Sequence, residues 1–154
     1  SKAVERMEYW RNYREPTPPV TIRQEPSYGD ASHGKKTNPD DAVAHNKRGD
    51  AYYEAGKYKE AIKSLKQAIR LDPDYAKAHY NLGVAYGKSG KYQEAIESCK
   101  QAIRIDPDYS SAYFGLGLAY HLSNDRDSTL EQYKILKNLG SELANDLFNE
   151  IYRE

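Results

Sequence analysis

The chain has 154 residues, and its 23 Lys and Arg residues balance its 23 Asp and Glu residues. The length fits one domain of ordinary size with some chain to spare, and a net charge of zero gives no electrostatic reason to expect binding to nucleic acid. No apolar run approaches the ~20 residues that span a bilayer, and a single Cys excludes an intrachain disulfide. We therefore expect a soluble protein that neither binds nucleic acid nor inserts into a membrane.

The first 38 residues form an N-terminal arm that differs in composition from the rest. Their early apolar residues recur at three- and four-residue spacing, which predicts a short amphipathic helix over about residues 3–15, ending before Pro16. We expect the contacts of the arm to be made by the apolar side chains of this helix: Val4, Met7, Trp10 and Tyr13.

The second part of the arm, from Pro16 to Pro39, is rich in Pro, Gly, Ser and charged residues. Such a composition predicts an extended segment, which at about 3.1 Å per residue could reach roughly 70 Å. A segment of this kind is held in place only when it docks on something. Its own groove, a second copy of the chain and another protein are the three alternatives.

An internal repeat begins at residue 39. Residues 39–72 and 73–106 align without a gap and are identical at 21 of 34 positions. Residues 107–140 repeat the first half of this unit, whereas their second half has diverged. A fixed period of this length is typical of a tandem array of repeats, so we predict three stacked units over these ranges.

Each unit reads as two helices joined by a turn. In the second unit, Ala78, Leu82 and Tyr86 recur at helical spacing, a second apolar stripe follows Gly90, and Pro107 closes the unit. A helix does not continue easily through proline. The sequence therefore predicts an all-α fold of helix–turn–helix hairpins.

Small residues mark the turns and the helix contacts of these hairpins. Gly56 and Gly90 suit the left-handed conformation that ends a helix, and Asn124 is a tolerable substitute in the third unit. Gly83 and Ala95 are small where two helices of a hairpin must approach closely. We therefore expect tight packing within each hairpin.

This pattern of small and large residues resembles the tetratricopeptide repeat family. The resemblance covers roughly residues 39–154 and implies an α-solenoid of three helix–turn–helix repeats that acts in protein–protein interaction, without catalysis. The second unit matches the family pattern at Leu82, Gly83, Tyr86, Ala95, Ala102 and Pro107. The first unit matches it at Gly49, Tyr52, Ala61, Ala68 and Pro73. Arg48, Thr129 and Leu136 depart from it, which fits the ends of an array.

Residues 141–154 predict a seventh helix after the third unit. Gly140 can end the preceding helix, and Ser141 is a good N-cap. Leu143, Leu147, Phe148, Ile151 and Tyr152 fall on one side of this helix. Because a stacked array needs its last apolar face covered, we interpret the segment as a capping helix.

Candidate catalytic and metal-binding residues are few. His45 and His79 occupy the same position in consecutive units, which indicates half-buried packing residues, and no Cys or carboxylate stands beside them at ligand spacing. Cys99 falls on an apolar stripe, which is typical of a packing thiol. We expect no metal, no cofactor and no catalytic site.

In tetratricopeptide repeat proteins the first helix of each unit lines a concave groove that takes extended peptides or helices. The resemblance implies that the groove of this chain is formed by the corresponding positions in the three units: Val43, Asn46, Asp50, Tyr53, Lys77, Tyr80, Asn81, Val84, Lys88, Ser111, Phe114, Leu118, His121 and Leu122.

The first helix of the third unit carries two apolar stripes, which suggests that each stripe packs against a different partner. Phe114, Leu118 and Leu122 follow one another at four-residue spacing, apart from the packing stripe that contains Leu116. A ligand in the groove would account for the first stripe. The alternative is that Phe114 and Tyr80 only cover the helices beneath them.

Some members of the family grip the acidic C-terminal tails of heat-shock chaperones with a clamp of basic and asparagine residues. The corresponding residues here are Asn46, Asp50, Asn81, Ser111 and Gly115. Only Asn81 fits such a clamp, and the carboxylate of Asp50 would repel another carboxylate. We therefore expect no co-chaperone role of this kind.

The sequence favours a non-enzymatic adaptor, chaperone-like or assembly protein. It would bind a partner segment through Tyr80, Val84, Phe114 and Leu118, with Lys77 and Asn81 donating hydrogen bonds. The alternative is a structural subunit that attaches to a larger assembly mainly through its arm. Deleting residues 1–37 would separate them, because only the adaptor would keep its ligand.

Partner, compartment and copy number stay open. The chain begins at Ser1 with no basic and apolar leader, so a cytoplasmic protein and an exported or periplasmic protein that has lost its signal peptide are both consistent with it. Self-association through the arm or the last helix is a further alternative.

Overall fold

The computed structural model of this chain describes residues 39–153. The predicted helix over residues 3–15 lies outside them, as do the predicted arm contacts Val4, Met7, Trp10 and Tyr13. Within the described residues the chain forms seven helices: α1 (Pro39–Glu54), α2 (Tyr58–Leu71), α3 (Ala76–Lys88), α4 (Tyr92–Ile105), α5 (Ser110–Leu122), α6 (Arg126–Asn138) and α7 (Leu143–Tyr152).

The first six helices form three antiparallel hairpins, α1–α2, α3–α4 and α5–α6, and each hairpin packs on the next. Helix α7 packs against both α5 and α6. No strand occurs between residues 39 and 153. The predicted all-α solenoid of three helix–turn–helix units followed by a further helix is confirmed.

The hairpins are as tight as the small residues predict. A Cβ atom added to Gly83 would lie 2.7 Å from the Cys99 sulfur and 3.2 Å from the Ala95 carbonyl oxygen. Real Cβ atoms do not approach other atoms as closely as the first of these distances. Only glycine at position 83 therefore allows α3 to lie this close to α4.

The turns inside the hairpins have the predicted backbone conformation. Gly56 and Gly90 have φ angles of 73° and 75°, and Asn124 has a φ angle of 64°. Asn is one of the few residues with a side chain that tolerates this region. The substitution in the third unit therefore leaves the geometry of the turn unchanged.

A side-chain hydrogen bond ties the start of two units to their first helix. The Nε2 atom of His79 lies 2.9 Å from the Pro73 carbonyl oxygen, and the Tyr113 hydroxyl donates to the Pro107 carbonyl oxygen over 2.8 Å. A carbonyl oxygen only accepts hydrogen bonds, so Nε2 of His79 carries a proton. This contact explains His79, which lies half-buried as the sequence predicts.

The core lies between the two layers of helices and includes Leu65, Leu82, Ile96, Cys99 and Leu116. Cys99 is fully buried, and this burial raises the pKa of its thiol to about 12. The thiol is therefore neutral and unreactive near pH 7, in agreement with the predicted packing role.

The last helix differs from its prediction in two details. It begins at Leu143, whose backbone N–H donates to the Ser141 hydroxyl over 3.3 Å. Leu147 is fully buried, whereas Phe148 and Tyr152 are 43% and 47% exposed, so the predicted apolar side is only partly covered. The Phe148 and Tyr152 rings pack on each other instead, with centroids 4.5 Å apart.

Candidate functional site

The first helices of the three units form one continuous surface, which we call the inner face. Helix α3 contacts α1 on one side and α5 on the other, whereas the second helices, α2, α4 and α6, make little or no contact with one another. An array whose first helices lie closer together than its second helices curves toward the first helices. The predicted groove positions all belong to these first helices.

A polar cluster joins α1 to α3 on this face. The Nδ2 amide of Asn81 donates to the Asn46 side-chain oxygen over 3.1 Å and to an Asp50 carboxylate oxygen over 2.9 Å. An ionised carboxylate only accepts hydrogen bonds, so the NH₂ group of Asn81 must face Asp50. Both of its hydrogens are then engaged. We refer to Asn46, Asp50 and Asn81 as the Asn–Asp–Asn cluster.

The negative charge of the cluster reaches the residue before α3. The pKa of Tyr75 is raised, first by burial of the phenol and then by the charges of Asp50 and Asp72. Negative charge disfavours a phenolate. Burial is the larger cause of this shift, and the two carboxylates add to it.

An aromatic side chain fills the space between α3 and α5. Tyr80 is 4% exposed and packs on Ala102 and Ala112, and its ring centroid lies 5.4 Å from that of Tyr109. A Cβ atom added to Gly115 would lie 3.2 Å from the Tyr80 ring. Tyr80 therefore covers the neighbouring helix, as in the second of the two interpretations that the sequence leaves open.

Phe114 and Leu118 are also buried, with exposures of 1% and 3%. The sequence predicts them as direct ligand contacts, but in the structure their side chains expose almost no surface. Asn46 and Lys88 are buried as well. Val43 is exposed, and the remaining predicted groove residues are half-buried: Asp50, Tyr53, Lys77, Asn81, Val84, Ser111, His121 and Leu122.

The comparisons with known proteins agree with this architecture. Two family models, described as TPR repeat and tetratricopeptide repeat, match residues 49–90 and 76–109. The second TPR domain of Spaghetti (RPAP3), solved with the HSP90 peptide SRMEEVD, is 30% identical with a TM-score of 0.64, and the match covers 66% of this chain and 94% of that one. The chain belongs to the tetratricopeptide repeat family. No curated protein matches it.

Two further solved structures show the range of similar tetratricopeptide repeat proteins. The second TPR domain of human RPAP3, solved with the HSP70 peptide SGPTIEEVD, is 28% identical with a TM-score of 0.70, and the match covers 76% of this chain and 100% of that one. MamA is 29% identical with a TM-score of 0.60, and the match covers 76% of this chain and 64% of that one. Domains of this family act as protein-interaction modules, and so does this chain.

The sequence does not predict the Asn–Asp–Asn cluster. From the sequence we expect Asn81 to donate to a ligand, whereas in the structure both hydrogens of its amide point to α1. One signal in the sequence could have pointed to this cluster. Asn46 and Asp50 are four residues apart, which places both side chains on one face of α1. They also precede Asn81 by about one repeat, so they lie on the neighbouring first helix.

Between residues 41 and 153, no group of three His, Cys, Asp or Glu side chains could hold a metal ion. No helix in this part of the chain is long and apolar enough to cross a membrane. The side chains of the inner face offer hydrogen bonds, charge and apolar contact.

Proposed function

We propose that this tetratricopeptide repeat protein is a non-enzymatic adaptor or assembly module whose inner face binds an extended or helical segment of a partner protein. The observation that carries the proposal is the continuity of α1, α3 and α5. Asn81 bridges α1 to α3, and Tyr80 fills the gap between α3 and α5. A segment that crosses these helices meets polar groups first and apolar groups next.

The half-buried residues are the proposed contacts, because each retains surface that a ligand can cover. Val84 and Leu122 supply half-buried apolar surface, whereas Tyr80, Phe114 and Leu118 are buried. Burying two or three ligand side chains would contribute about 1.5–3 kcal/mol each. After the cost of ordering the ligand, this suggests micromolar affinity.

Three features argue against an acidic C-terminal tail of the kind bound by the RPAP3 domains. Asp50 places a carboxylate where the clamp of the family requires a neutral or basic group, and Asn81 has both of its amide hydrogens engaged. At Gly115, a larger side chain would press on the Tyr80 ring, which lies 3.2 Å from the added Cβ, and on the Cys99 sulfur at 3.3 Å. A residue with a side chain at this clamp position would therefore require Tyr80 or Cys99 to shift by a few tenths of an ångström, and Gly115 itself offers no cation.

The test uses the full chain as bait for a random peptide library displayed on phage. We expect enriched peptides to bind with micromolar affinity, and the double variant Val84→Ser, Leu122→Ser to weaken them at least roughly tenfold by removing apolar contact area. The measurement is fluorescence polarisation of the labelled peptides, with circular dichroism to verify that the variant keeps its helical content.

The matched control is Leu139→Ser, Phe148→Ser, which removes two exposed apolar side chains away from the inner face. We expect this control to bind as the wild type does. Unchanged binding by the inner-face variant, or equal losses in both variants, would contradict the proposal.

A further inference from the structure

We propose that this chain associates head to tail with a second copy of itself, so that α7 of one copy is seated on α1 of the other. The surface on α1, which we call the head face, carries Arg48 and Ala51. The surface on α7, which we call the tail face, carries Phe148 and Tyr152. This inference goes beyond the proposed function, because neither face is part of the inner face.

The contacts between units show which side of a first helix faces the preceding unit. The Lys66 ammonium of α2 lies 5.8 Å from the centroid of the Tyr86 ring on α3. One repeat later, Lys100 of α4 lies 6.0 Å from the centroid of the Tyr120 ring on α5. The residue one repeat before Tyr86 is Tyr52 on α1. This side of α1 therefore has no preceding unit to cover it within residues 39–153.

The exposure of equivalent residues agrees with this assignment. On α3, Leu82 and Ala85 are 7% and 0% exposed, and their equivalents on α5 are buried as well. The residues at these two positions on α1 are Arg48 and Ala51, and both are exposed. The head face of α1 is therefore the side that the other first helices use for the contact between units. A second copy that covers it would continue an interface that the chain already forms twice.

The tail face is an aromatic surface at the opposite end of the described array. Phe148 and Tyr152 are 43% and 47% exposed, and their ring centroids lie 4.5 Å apart. The Phe148 ring also lies 5.7 Å from that of Tyr133 on α6. Because the rings pack on one another, ordering them for a partner costs less than ordering free side chains.

The chemistry of the two faces is complementary. Arg48 brings a guanidinium to a position where the other units have leucine, and Ala51 leaves space beside it. A guanidinium stacks on aromatic rings and pairs with carboxylates. The tail face offers the two exposed rings, and the exposed Glu142 at the start of α7 offers a carboxylate. The contact would resemble those of Lys66 and Lys100 between units, with the sides of cation and ring exchanged.

The same charge argues against a contact between two head faces. Such a pair would bring one Arg48 against another, and like charges placed opposite each other across an interface are unfavourable. The two copies therefore use unlike faces. A contact of this kind leaves one free face at each end of a dimer, so that further copies add to form a ring or a filament.

The experiment is sedimentation velocity of the full chain from about 10 µM to about 1 mM, since the contact area is small. We expect the sedimentation coefficient of wild type to rise with concentration. The head variant, Arg48→Glu with Ala51→Glu, and the tail variant, Phe148→Ser with Tyr152→Ser, should each stay monomeric. Their equimolar mixture should form a heterodimer and nothing larger, because it contains one intact face of each kind.

The control for the head variant is Lys91→Glu with Gln93→Glu, at two exposed positions of the middle unit. It changes the net charge by the same amount and should associate as wild type does. Asn145→Arg is a second tail variant, at an exposed position of α7 one turn before the aromatic pair. It leaves both rings in place and should weaken association at least roughly tenfold by placing a cation against Arg48. Circular dichroism verifies that each variant keeps its helical content.

Three results would overturn the inference. The first is a wild-type chain that stays monomeric over the whole concentration range. The second is a head or tail variant that associates alone as wild type does, which would place the contact elsewhere in the chain. The third is a mixture of the two variants that stays monomeric. None of these measurements uses a peptide ligand, so the proposed function of the inner face stands or fails separately.

Discussion

The two ends of the inner face are built from different chemistry. Where α1 meets α3, Asn46, Asp50 and Asn81 contact one another through hydrogen bonds. Where α3 meets α5, Tyr80 is almost completely buried and packs on Ala102 and Ala112. The contact between first helices is therefore made once with polar and once with apolar side chains. From this difference we expect the apolar end to contribute more to the stability of the array than the polar end.

The largest effect should come from the apolar end. Phe114 is 1% exposed and is the largest fully buried side chain between residues 41 and 153. We expect Phe114→Ala to lower the free energy of unfolding by about 3–5 kcal/mol, because it removes a buried ring and leaves a cavity. Urea denaturation measures this.

The matched control for Phe114→Ala is Val43→Ala, at a residue that is 37% exposed on the polar end. Its cost should stay within about 0.5 kcal/mol. Similar costs for the two variants would mean that the two ends do not differ in their contribution to stability. Replacing both Phe114 and Leu118 by Ser would for the same reason lower the stability of the fold before it reported on binding.

A smaller effect is expected at the polar end, where a double-mutant cycle isolates the pair of Asn81 and Asp50. We expect Asn81→Ala to cost about 1–2 kcal/mol, since the pair is a partly buried hydrogen bond to a charged group. The coupling energy with Asp50→Ala should be roughly 1 kcal/mol. Thermal or urea denaturation of the four proteins measures it, with the exposed Asn145→Ala as a control.

A coupling energy indistinguishable from zero would mean that the 2.9 Å contact between Asn81 and Asp50 does not hold the carboxylate in place. The polar end would then be a set of independent surface residues.

The smallest effect concerns pH and belongs to the apolar end, since the Cys99 sulfur lies beneath both Gly83 and Gly115. Burial raises the pKa of Cys99 from its usual 9.0 to about 12. When the pKa of a group is higher in the folded state than in the unfolded state, the group stabilises the fold fully at a pH below its unfolded-state pKa. This contribution is lost as the pH rises toward the folded-state pKa. We therefore expect the free energy of unfolding to fall between pH 9 and 12.

Urea unfolding at a series of pH values compares wild type with Cys99→Ala. The free energy of unfolding of the variant should fall less steeply with pH. Tyr53 should cause part of the remaining fall, because burial and then the nearby Tyr58 and Glu54 raise the pKa of its phenol as well. Identical slopes in the two proteins would show that Cys99 does not titrate with unfolding in this range.

The fold could be predicted almost entirely from the sequence because each residue that determines it acts locally. The 34-residue period fixes the hairpins, and the glycines at positions 56 and 90 and Asn124 fix their turns. These residues act through their own φ angle or through the partner helix of the same hairpin. No knowledge of distant contacts is needed to interpret them.

The inner face could be predicted only in part. Helical spacing placed Phe114 and Leu118 on the side toward the groove, but spacing gives the direction of a side chain and not its depth. Depth depends on how closely neighbouring helices approach, as between α3 and α5, where a Cβ atom added to Gly115 would lie 3.2 Å from the Tyr80 ring. The bond from Asn81 to Asp50 likewise depends on the register between two helices in different repeats.

The most direct test of the central claim is chemical-shift mapping of an enriched peptide on the isotope-labelled full chain. The account predicts that the largest shift changes fall at Asn81, Val84 and Leu122, on α3 and α5. Changes concentrated on the outer helices α2 and α4, or on α7 around Phe148, with the inner face unaffected, would contradict it.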